Sequence, residues 1–287
     1  MTTVARFFAD TRAALTATLG SDGEADAAAR VLFEDIAGYD RNYIFANGDR
    51  EILPFIMDKI NAAVSAVRAG EPVQYAAGKA LFMGMMLKVT PAVLIPRFET
   101  EGLVDMIVDA AGGASDLRVL DIGTGSGCIA IALARALAFA RVTAVDVSAD
   151  ALAVARDNAT ALHADICFRQ LDILKAGAPA EPLYDIVVSN PPYITEKERA
   201  DMDPRVADRE PPQALFVPDA DPMLFYRAIA AYAAGALVPG GRIFLEINQN
   251  YPEQVRAVLA AAGFADIAVS RDYRGNFRYA AATLPHQ

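Results

Sequence analysis

From residue 118 onward, strand-like segments alternate with helical ones, and this alternation restricts the possible folds more than any other feature of the chain. Strands joined by helical crossovers form parallel sheets with right-handed connections. The predicted strands are RVLDIG, RVTAVDVS, DICFRQLD, YDIVVSN, GRIFLEIN and two closing segments near 265–270 and 277–283. The predicted helices are GCIAIALARALAFA, ADALAVARDNATAL and segments near 221–235 and 252–262. We therefore expect an α/β domain with a seven-stranded, mostly parallel sheet.

The chain before this domain has a different pattern. Apolar residues recur there at helical spacing, as in Ile52, Ile56, Ile60, Ala63, Val64 and Val67. Gly70 and Pro72 in RAGEP end that pattern, and LFMGMMLKVTPAVLIPRFETE contains the glycine and prolines of a short β-hairpin. We expect a helical domain at 1–78, a β-hairpin linker at 79–96 and the sheet domain at 97–287.

Composition and charge exclude several classes of protein. Hydrophobic residues make up 54% and charged residues 22%, and no apolar run approaches the roughly 18 to 20 residues of a membrane span. We expect a soluble, cytoplasmic protein, since the N-terminus also lacks a secretory signal. The net charge of −10 disfavours nucleic acid as a partner. Cys128 and Cys167 have no CxxC or histidine neighbours, which predicts two buried thiols, no disulfide framework and no metal site.

The first predicted strand of the sheet domain ends in a glycine-rich loop, DIGTGSG. In open α/β sheets, ligands bind beyond the carboxyl ends of the strands, where the strand order reverses. Gly123, Gly125 and Gly127 permit positive φ and a close approach of backbone to ligand. A dinucleotide fingerprint would need glycine at position 128, where this chain has cysteine. The spacing therefore favours a different nucleoside ligand over a purely structural turn.

Two acidic residues follow at the ends of the next two predicted strands. Asp146 ends the segment AVD, and Asp172 follows QL. A carboxylate at the second strand can accept hydrogen bonds from both ribose hydroxyls, and one at the third can accept from the adenine amine. Either aspartate alone would also fit a helix cap. Together with the glycine loop they predict an adenosine-containing ligand.

The segments LDIGTGSGCIAIALA and VVSNPPYI, with the strand-end aspartate, resemble the class I S-adenosylmethionine-dependent methyltransferases. The resemblance implies a Rossmann-like sheet domain and S-adenosylmethionine as cofactor. The Asn-Pro-Pro-Tyr subset of that superfamily methylates planar nitrogens, in adenine or in glutamine side chains. The cofactor-binding residues that it implies are Asp121, Gly123, Thr124, Gly125, Ser126, Gly127, Asp146, Asp172, Ile173 and Asn190.

The linker segments narrow the resemblance. GEPVQYAAGKALFMGMMLKVTPAVLIPRFETEGLVD and REPPQALF resemble the HemK/PrmC family, the peptide chain release factor glutamine N5-methyltransferases. This implies methylation of the glutamine in the Gly-Gly-Gln loop of class I release factors, with the helical domain as docking surface. We also expect the protein to be a monomer. The sequence departs from the family at Phe98, where proline is usual, at Asn248, where glycine is usual, and at Ile173, where an aromatic is often found.

Asn190, Pro191, Pro192 and Tyr193 are the predicted catalytic residues. The Asn190 side-chain oxygen and the Pro191 carbonyl would both accept hydrogen bonds from the substrate NH2 group and hold its nitrogen toward the methyl donor. The two prolines fix their φ angles, which sets the carbonyl direction before substrate arrives. Tyr193 could stack on the flat amide.

Several assignments stay open at this level. Asp121 either places the methionine amino group or bonds the loop backbone. Charged and polar residues near the predicted cleft have either a direct role or a solvated one: Arg97, Glu99, Thr100, Glu101 and Glu246. The segment TEKERADMDPRVADRE is either a solvated loop or a lid. Because of Phe98 and Asn248, the acceptor could also be another protein amide, as in a ribosomal protein, or a planar nitrogen of a small molecule. DNA adenine methylation conflicts with the charge, and a non-catalytic cofactor-binding module would not need the Asn-Pro-Pro-Tyr run.

Overall fold

The computed structural model describes residues 2–177, 179 and 183–286. Within it the chain forms two compact units. The first comprises Met1–Lys79 and Asp203–Arg209, and the second comprises Ala80–Met202 and Glu210–Gln287. The terminal residues Met1 and Gln287, which bound the predicted domains, lie outside the described residues.

The first unit is built from helices that each begin with a recognisable signal. Its N-terminal segment contains α1 (Val4–Leu19), α2 (Asp22–Ala37), α3 (Arg41–Ala46), α4 (Pro54–Arg68) and α5 (Val73–Ala77). Ser21 caps α2 by accepting from the Glu24 amide, and Pro54 occupies the first turn of α4. Apolar faces of these helices, including Leu15, Phe33 and Ile60, form a buried core.

A hairpin and a helix follow. Strands β1 (Lys79–Phe82) and β2 (Met85–Lys88) pair across a two-residue turn in which Met83 and Gly84 both have positive φ, of 47° and 72°. Such a turn matches the twist of the strands that it joins. The Met83 amide donates to Glu101 Oε1 at 2.7 Å, which ties the turn to helix α6 (Phe98–Ala111).

The sheet domain occupies the rest of the second unit. Its elements and those of the intervening loop are β3 (Arg118–Ile122), α7 (Cys128–Ala136), β4 (Arg141–Asp146), α8 (Ala149–Ala161), β5 (Ile166–Gln170), β6 (Tyr184–Ser189), β7 (Ile194–Thr195), a 3-10 turn (Glu198–Asp201), α9 (Pro204–Ala207), α10 (Pro212–Leu215), β8 (Phe216–Val217), α11 (Leu224–Ala236), β9 (Leu237–Glu246), α12 (Pro252–Ala261), β10 (Ala265–Arg271) and β11 (Phe277–Thr283). Of these, α9 belongs to the helical unit.

The main sheet has seven strands in the order β10-β11-β9-β6-β3-β4-β5. Strands β3, β4, β5, β6 and β9 pair in parallel, whereas β11 is antiparallel to both of its neighbours. The predicted seven-stranded, mostly parallel sheet is therefore confirmed. The chain runs outward from β3 through β4 to β5 and then returns to β6 on the other side of β3. This reversal leaves a crevice at the carboxyl ends of β3 and β6.

Helices cover both faces of the sheet. One core contains Leu103 and Ile107 of α6 and Leu133 of α7, and the other contains Tyr226 and Ile229 of α11 with Leu259 of α12. The central strands are apolar on both faces, as in Val119 and Leu120 of β3. Because both faces are buried, β6 contains the uninterrupted apolar run Ile186, Val187 and Val188 instead of an alternating pattern. No helix in the described part of the chain has the length and apolar character of a membrane span.

The structure corrects some expectations. Cys167 was expected to be buried, but it is exposed because β5 is an edge strand of the sheet. Cys128 is only half-buried, at the first turn of α7. The sequence pattern also gave no prediction for α6 or for the short elements between residues 194 and 217, where prolines interrupt every periodic signal.

Candidate active site

A cavity of about 300 Å³ lies at the carboxyl ends of the parallel strands, at the reversal point of the strand order. Its volume is at the lower end of the range of small-molecule sites, about 300 to 1,000 Å³. The lining follows four successive strand ends: residues 122–126 after β3, 146–148 after β4, 171–174 after β5 and 189–192 after β6. Residues 123–126 of the predicted loop, both acidic residues and residues 190–192 thus line one cavity, whereas Asp121 and Gly127 are not among the lining residues found in the described ranges.

The glycine loop is held by the neighbouring strand. The amides of Gly123 and Thr124 donate to the Val145 carbonyl at 2.8 and 3.0 Å. Gly123 and Gly125 have φ of 75° and 54°, and an added Cβ at either would meet no protein atom within 4 Å. Gly127 has φ of 83° and packs against Ala155, where a Cβ would approach to 3.2 Å. The first two glycines thus leave room beside the loop for a ligand, whereas the third permits close helix packing.

Asp121 lies beneath this loop and is fully buried. Its Oδ2 accepts from the Thr124 hydroxyl at 2.7 Å, whereas Oδ1 has no hydrogen-bond partner among the described residues. Burial, opposed by the Thr124 bond and reinforced by Asp146, raises the pKa of Asp121 to about 7. The Ser126 hydroxyl is also buried and has no hydrogen-bond partner in the described part of the chain. Because orphaned buried polar atoms are rare, these two fit a ligand with polar groups of its own, such as the amino acid part of S-adenosylmethionine.

The two strand-end carboxylates differ in their surroundings. Asp146 accepts from the Gly125 amide with Oδ2 and from the Ser148 amide with Oδ1, both at 2.9 Å. Burial raises its pKa, although these backbone bonds oppose the rise. A carboxylate has about four acceptor positions, so room remains for two ribose hydroxyls. Asp172 is paired with Lys175 at 2.8 Å, and this bond lowers the pKa of Asp172. Ile173 lines the cavity next to it.

Asn190 and the two prolines after it line the cavity opposite the glycine loop. Ser189 pairs with Ile122 in the sheet register, and its hydroxyl donates to the Ile122 carbonyl at 2.7 Å. Because β3 and β6 end at the same level of the sheet, Asn190 and Gly123, the residues that follow them, lie side by side. The Asn190 amide nitrogen donates to Thr100 Oγ1 at 3.2 Å, and Pro191 is buried.

A buried carboxylate stands behind this contact. Glu246, at the end of β9, is 1% exposed. Its Oε2 accepts from the Thr100 hydroxyl at 2.7 Å, and its Oε1 accepts from the Tyr193 hydroxyl at 3.0 Å. Burial raises the pKa of Glu246, and these two hydrogen bonds and the nearby Arg278 oppose the rise. Asn190, Pro191, Pro192 and Tyr193 form the predicted clamp for the acceptor amide. Glu246 thus links the two ends of this clamp, reaching Asn190 through Thr100 and Tyr193 directly.

Tyr193 is not among the residues found to line the cavity in the described part of the chain. Its hydroxyl donates to Glu246 and accepts from Arg278 at 3.2 Å. Arg278 is held in turn by Asp272 at 3.3 Å. Burial raises the pKa of Tyr193 far above its ordinary value, with Glu246 adding to the effect. Stacking of the Tyr193 ring on an acceptor amide stays a prediction.

The segment after the clamp is anchored instead of being only solvated. Glu198 accepts from the Thr195 amide at 2.8 Å and from the side-chain amides of Asn248 and Asn250 at 3.1 and 2.7 Å. Burial opposes these bonds, yet the bonds prevail and the pKa of Glu198 is lowered. Asn248 also donates to the Tyr193 carbonyl at 3.0 Å. The start of the predicted lid segment is therefore fixed to the end of β9.

The predicted cleft residues at 97–101 take different positions. Arg97 and Thr100 line the cavity, and Glu101 holds the hairpin turn. Arg97 pairs with Glu210 at 2.6 Å, and the buried Glu210 also accepts from the Ile95 amide at 3.1 Å. Glu99 supplies a carbonyl to the Tyr279 hydroxyl at 2.6 Å.

Phe98, expected to border the site, points elsewhere: it is 62% exposed and packs edge-on against Tyr273, with ring centroids 5.1 Å apart. Asn248 lies close to the site but under Tyr193. Neither is among the lining residues found in the part of the chain that the structure describes.

Some contributors were not predicted from the sequence. Asn158 of α8 donates to the carbonyls of Lys88 and Ser126 at 3.0 and 2.9 Å, which joins the hairpin to the glycine loop. Arg278, Glu198 and Glu210 were missed as well. A charged residue inside the apolar strand FRYAAAT, and an asparagine inside an alanine-rich helix, were the available signals.

Comparisons with known proteins cover nearly the whole chain. Residues 99–208 match the family model described as Methyltransferase small domain, and residues 10–78 match the PrmC N-terminal domain. A protein of Bacteroides thetaiotaomicron named release factor glutamine methyltransferase is 42% identical over 255 residues, 89% of this chain and 91% of that protein. A protein of Chlorobaculum tepidum with the same name is 40% identical over 85% of each chain.

A solved structure shows a similar fold. The crystal structure of a methyltransferase from Pyrococcus furiosus has a TM-score of 0.51 and 16% sequence identity, covering 71% of this chain and 91% of the other. At that identity the similarity concerns the arrangement of strands and helices alone.

Proposed function

The chain belongs to the release factor glutamine methyltransferase family, and from that membership we propose that it methylates the side-chain amide nitrogen, N5, of the glutamine in the Gly-Gly-Gln loop of class I peptide chain release factors. The methyl donor is S-adenosylmethionine. The observation that carries the proposal is the single cavity in which Asn190, Pro191 and Pro192 face the glycine loop.

The acceptor must be oriented, because a glutamine amide nitrogen is a poor nucleophile whose lone pair is delocalised into its carbonyl. In our proposal the Asn190 side-chain oxygen and the Pro191 carbonyl accept the two N–H groups of that amide. These acceptors hold the nitrogen in line for transfer and stabilise the positive charge that develops on it. Neither acceptor needs to titrate. Tyr193 would limit rotation of the amide.

The cofactor would lie along the glycine loop. When bound, S-adenosylmethionine supplies an electrophilic methyl group on a sulfonium that leaves as a neutral thioether. We propose that Asp121 Oδ1 accepts from the methionine ammonium group, since that buried oxygen has no other partner among the described residues. Asp146 would accept from the ribose and Asp172 from the adenine amine, with Ile173 packing beside the base and Thr124, Ser126 and Gly127 completing the loop. As the bond from methyl carbon to sulfur breaks and the bond to nitrogen forms, the positive charge would pass from the sulfonium to the amide nitrogen. The N-methylated amide would then release one N–H proton to water, so no strong base is required in the transfer step.

We propose that the helical domain, residues 1–78, docks the release factor, with 79–96 as a hairpin linker and 97–287 as the methyltransferase domain. Exposed apolar side chains on the helical unit support a docking role: Phe45 is 92% exposed, and Leu53 and Phe55 are also exposed. Replacing Phe45 by Ser should raise KM for the release factor and leave cofactor affinity unchanged. An unchanged KM would argue against this surface.

We further propose a monomer that acts in the cytoplasm, where release factors work, with neither nucleic acid nor membrane as partner.

The test is intact-mass analysis of an unmethylated class I release factor incubated with this protein and S-adenosylmethionine, followed by fragmentation. We expect one added methyl group on the glutamine of the Gly-Gly-Gln loop. A release factor with Ala in place of that glutamine is the matched control and should gain no mass. If cofactor binding is confirmed and the unmodified factor still gains no methyl, the proposed acceptor is wrong.

The alternative acceptors gain no support from the structure. The departures that motivated another amide or a small molecule, Phe98 and Asn248, are not among the cavity-lining residues found in the described ranges. DNA adenine methylation still conflicts with the net charge of −10.

A further inference from the structure

Asn190 is linked to a buried carboxylate through one hydroxyl group. Its amide nitrogen donates to Thr100 Oγ1 at 3.2 Å, and the same hydroxyl donates to Glu246 Oε2 at 2.7 Å. Thr100 is 2% exposed and Glu246 is 1% exposed, so the bond between them is buried. The three residues come from α6, β9 and the end of β6.

Counting protons fixes the direction of this chain of bonds. An ionised carboxylate only accepts hydrogen bonds, and a hydroxyl has a single proton to donate. Because Thr100 gives that proton to Glu246, its oxygen can only accept from the third group. Asn190 must therefore turn its NH2 group toward Thr100, which directs Oδ1 to the opposite side of the amide.

The second carboxylate oxygen of Glu246 also accepts a hydrogen bond from a hydroxyl group. Oε1 accepts from the Tyr193 hydroxyl at 3.0 Å, and the oxygen of that hydroxyl accepts from Arg278 at 3.2 Å. Arg278 cannot accept a hydrogen bond. Tyr193 can therefore give its proton only to Glu246. Both hydroxyl neighbours of this carboxylate thus require it to be an acceptor on both oxygens.

We propose that Glu246 is a positioning residue for methyl transfer: through Thr100 it holds the Asn190 amide with Oδ1 toward the acceptor nitrogen, and through Tyr193 it fixes the other end of the clamp. The inference rests on the proposed function and adds to it the group that determines which way the Asn190 side-chain amide is turned. A reversed Asn190 would present NH2 to the NH2 of the substrate, and two donors would then face each other. The carboxylate acts entirely through its neighbours and touches neither substrate nor cofactor.

Protonation of Glu246 reverses the arrangement. A carboxylic acid donates from one oxygen, so Thr100 could accept that proton and donate its own to Asn190 Oδ1. The charged and titratable groups that interact with Glu246 are Arg278 from β11, Glu99 from α6, Cys128 from α7 and the phenols of Tyr193, Tyr226 and Tyr279. Asp272, after β10, pairs with Arg278. Burial raises the pKa of this carboxyl. The clamp is therefore lost as pH falls through that raised pKa, at higher pH than for an ordinary glutamate.

The first test compares substitutions at Thr100 and Glu246. Thr100→Val keeps the shape and removes the hydroxyl, whereas Thr100→Ser keeps the hydroxyl. Glu246→Gln keeps the shape and supplies a donor where an acceptor is required. We expect Thr100→Val and Glu246→Gln to lower kcat for release-factor methylation by about 100-fold, as misplaced catalytic groups do. Thr100→Ser should restore most of it, and cofactor Kd should stay within about twofold in all three.

Matched controls separate positioning from folding. Thr143→Val, inside β4, and Glu253→Gln, exposed on α12, make the same chemical changes outside this chain of bonds. Both should retain wild-type kcat. In an Asn190→Ala background, Thr100→Val should cost no further activity, because the group that it positions is already absent. Equal losses from Thr100→Ser and Thr100→Val, or a further loss in the Asn190→Ala background, would overturn the inference.

The second test does not depend on any acceptor. In protein with ¹⁵N-labelled asparagine, the Asn190 side-chain NH2 resonances can be identified by their absence in Asn190→Ala. They should shift as Glu246 titrates in the wild type and stay constant over the same pH range in Thr100→Val and Glu246→Gln. The same titration in Thr100→Val as in the wild type would overturn the proposal. If the wild type methylated no release factor, the proposed function would fail, and this measurement would still decide the orientation of Asn190.

Discussion

The two ends of the cavity are held together in different ways. At the cofactor end, the glycine loop is bonded mainly through backbone amides, which donate to Val145 and Asp146 at the end of the adjacent strand. At the acceptor end the bonds join side chains that are far apart in the chain. Thr100 and Glu246 are 146 positions apart, and Asn190 and Thr100 are 90 apart.

This difference determines what a substitution can do. Bonds between backbone groups, such as those to the Val145 carbonyl, survive most changes of side chain, so the cofactor end depends chiefly on the glycines and on the carboxylates of Asp121 and Asp146. A bond between side chains is lost when either residue is replaced. The buried polar group that then lacks a partner lowers the free energy of unfolding by about 1 to 3 kcal/mol. We therefore expect substitutions at the acceptor end to lower kcat and substitutions at the cofactor end to raise the Kd for S-adenosylmethionine.

The largest effect is expected for Asn190→Ala. Removing one preorganised polar group from a reaction centre typically lowers kcat by about 100- to 1,000-fold. Single-turnover mass spectrometry should show that loss, while calorimetric titration with S-adenosylmethionine should give a Kd within about threefold of the wild type. A Kd that rises in proportion to the loss of turnover would show that the two ends are not separable.

The pH dependence of cofactor binding should isolate the other end. Asp121 has a pKa of about 7 in the free protein, so an acidic solution leaves it protonated, and binding a cationic ammonium group requires its ionised form. Affinity should fall by up to about tenfold for each pH unit below pH 7 and level off above it. Asp121→Asn should bind weakly and without this slope. A slope that persists in Asp121→Asn would assign the titration to another group.

The free protein should show the opposite trend from the same residue. The folded state keeps a proton on Asp121 between its ordinary pKa of 3.8 and about 7, whereas the unfolded state releases it. The contribution of this group to the free energy of unfolding is therefore fully present at low pH and is lost as pH rises through 7. Urea unfolding of wild type and Asp121→Asn across this range would measure the difference.

A smaller effect is expected from Gly102→Ala, behind the acceptor end. An added Cβ would lie 2.3 Å from the Tyr279 hydroxyl, which pairs with Glu99. Such overpacking costs about 1 to 3 kcal/mol, more than the gain of about 1 kcal/mol from replacing a helical glycine. Denaturant unfolding should show a net loss, and the loss should shrink in a Tyr279→Phe background. Gly23→Ala, in the first turn of α2 with open space around it, is the matched control and should be neutral or stabilising.

The smallest effect is expected from Phe98→Pro, which introduces the residue usual in the family. Phe98 is the first residue of α6, and the extended φ and ψ of Arg97, −99° and 145°, suit a residue before proline. Turnover and cofactor Kd should both stay within about twofold, as for surface changes of about 0.5 kcal/mol or less. A large change in either would place Phe98 at the site after all.

The same contrast explains how much could be predicted from sequence. The strand–helix alternation gives the seven-stranded sheet, because each element is defined by neighbouring residues. Gly123, Asp146, Asp172 and Asn190 all follow strand ends, and the topology of a parallel sheet brings such positions together. Local pattern and fold rules were sufficient for these strand-end residues, whereas other lining residues, such as Ala92, Gln213 and Phe225, were not predicted.

The supporting network could not be predicted in the same way. The sequence points to Thr100 and Glu246 only as polar residues near a cleft, with no indication that they touch. Their contact depends on where α6 packs against β9, and α6 itself follows a proline-rich segment that gives no periodic signal. The expected burial of Cys167 was wrong for a related reason, since whether a strand lies at the edge of a sheet is set by strand order, which one strand's residues do not encode.

The carbonyl just beyond the last residue of α4 is bound by a residue that is synthesised much later. That carbonyl, on Ala69, accepts from the Arg209 guanidinium at 2.6 Å, and Arg209 belongs to the short segment that completes the helical unit. A cation at a helix C-terminus donates a hydrogen bond to a carbonyl that has no partner within the helix, and its charge interacts favourably with the negative end of the helix dipole. On the ribosome, the five N-terminal helices emerge long before residue 209 does. These helices are thus made well before Arg209, which leaves the exit tunnel after the glycine loop and the clamp and only then binds the end of α4.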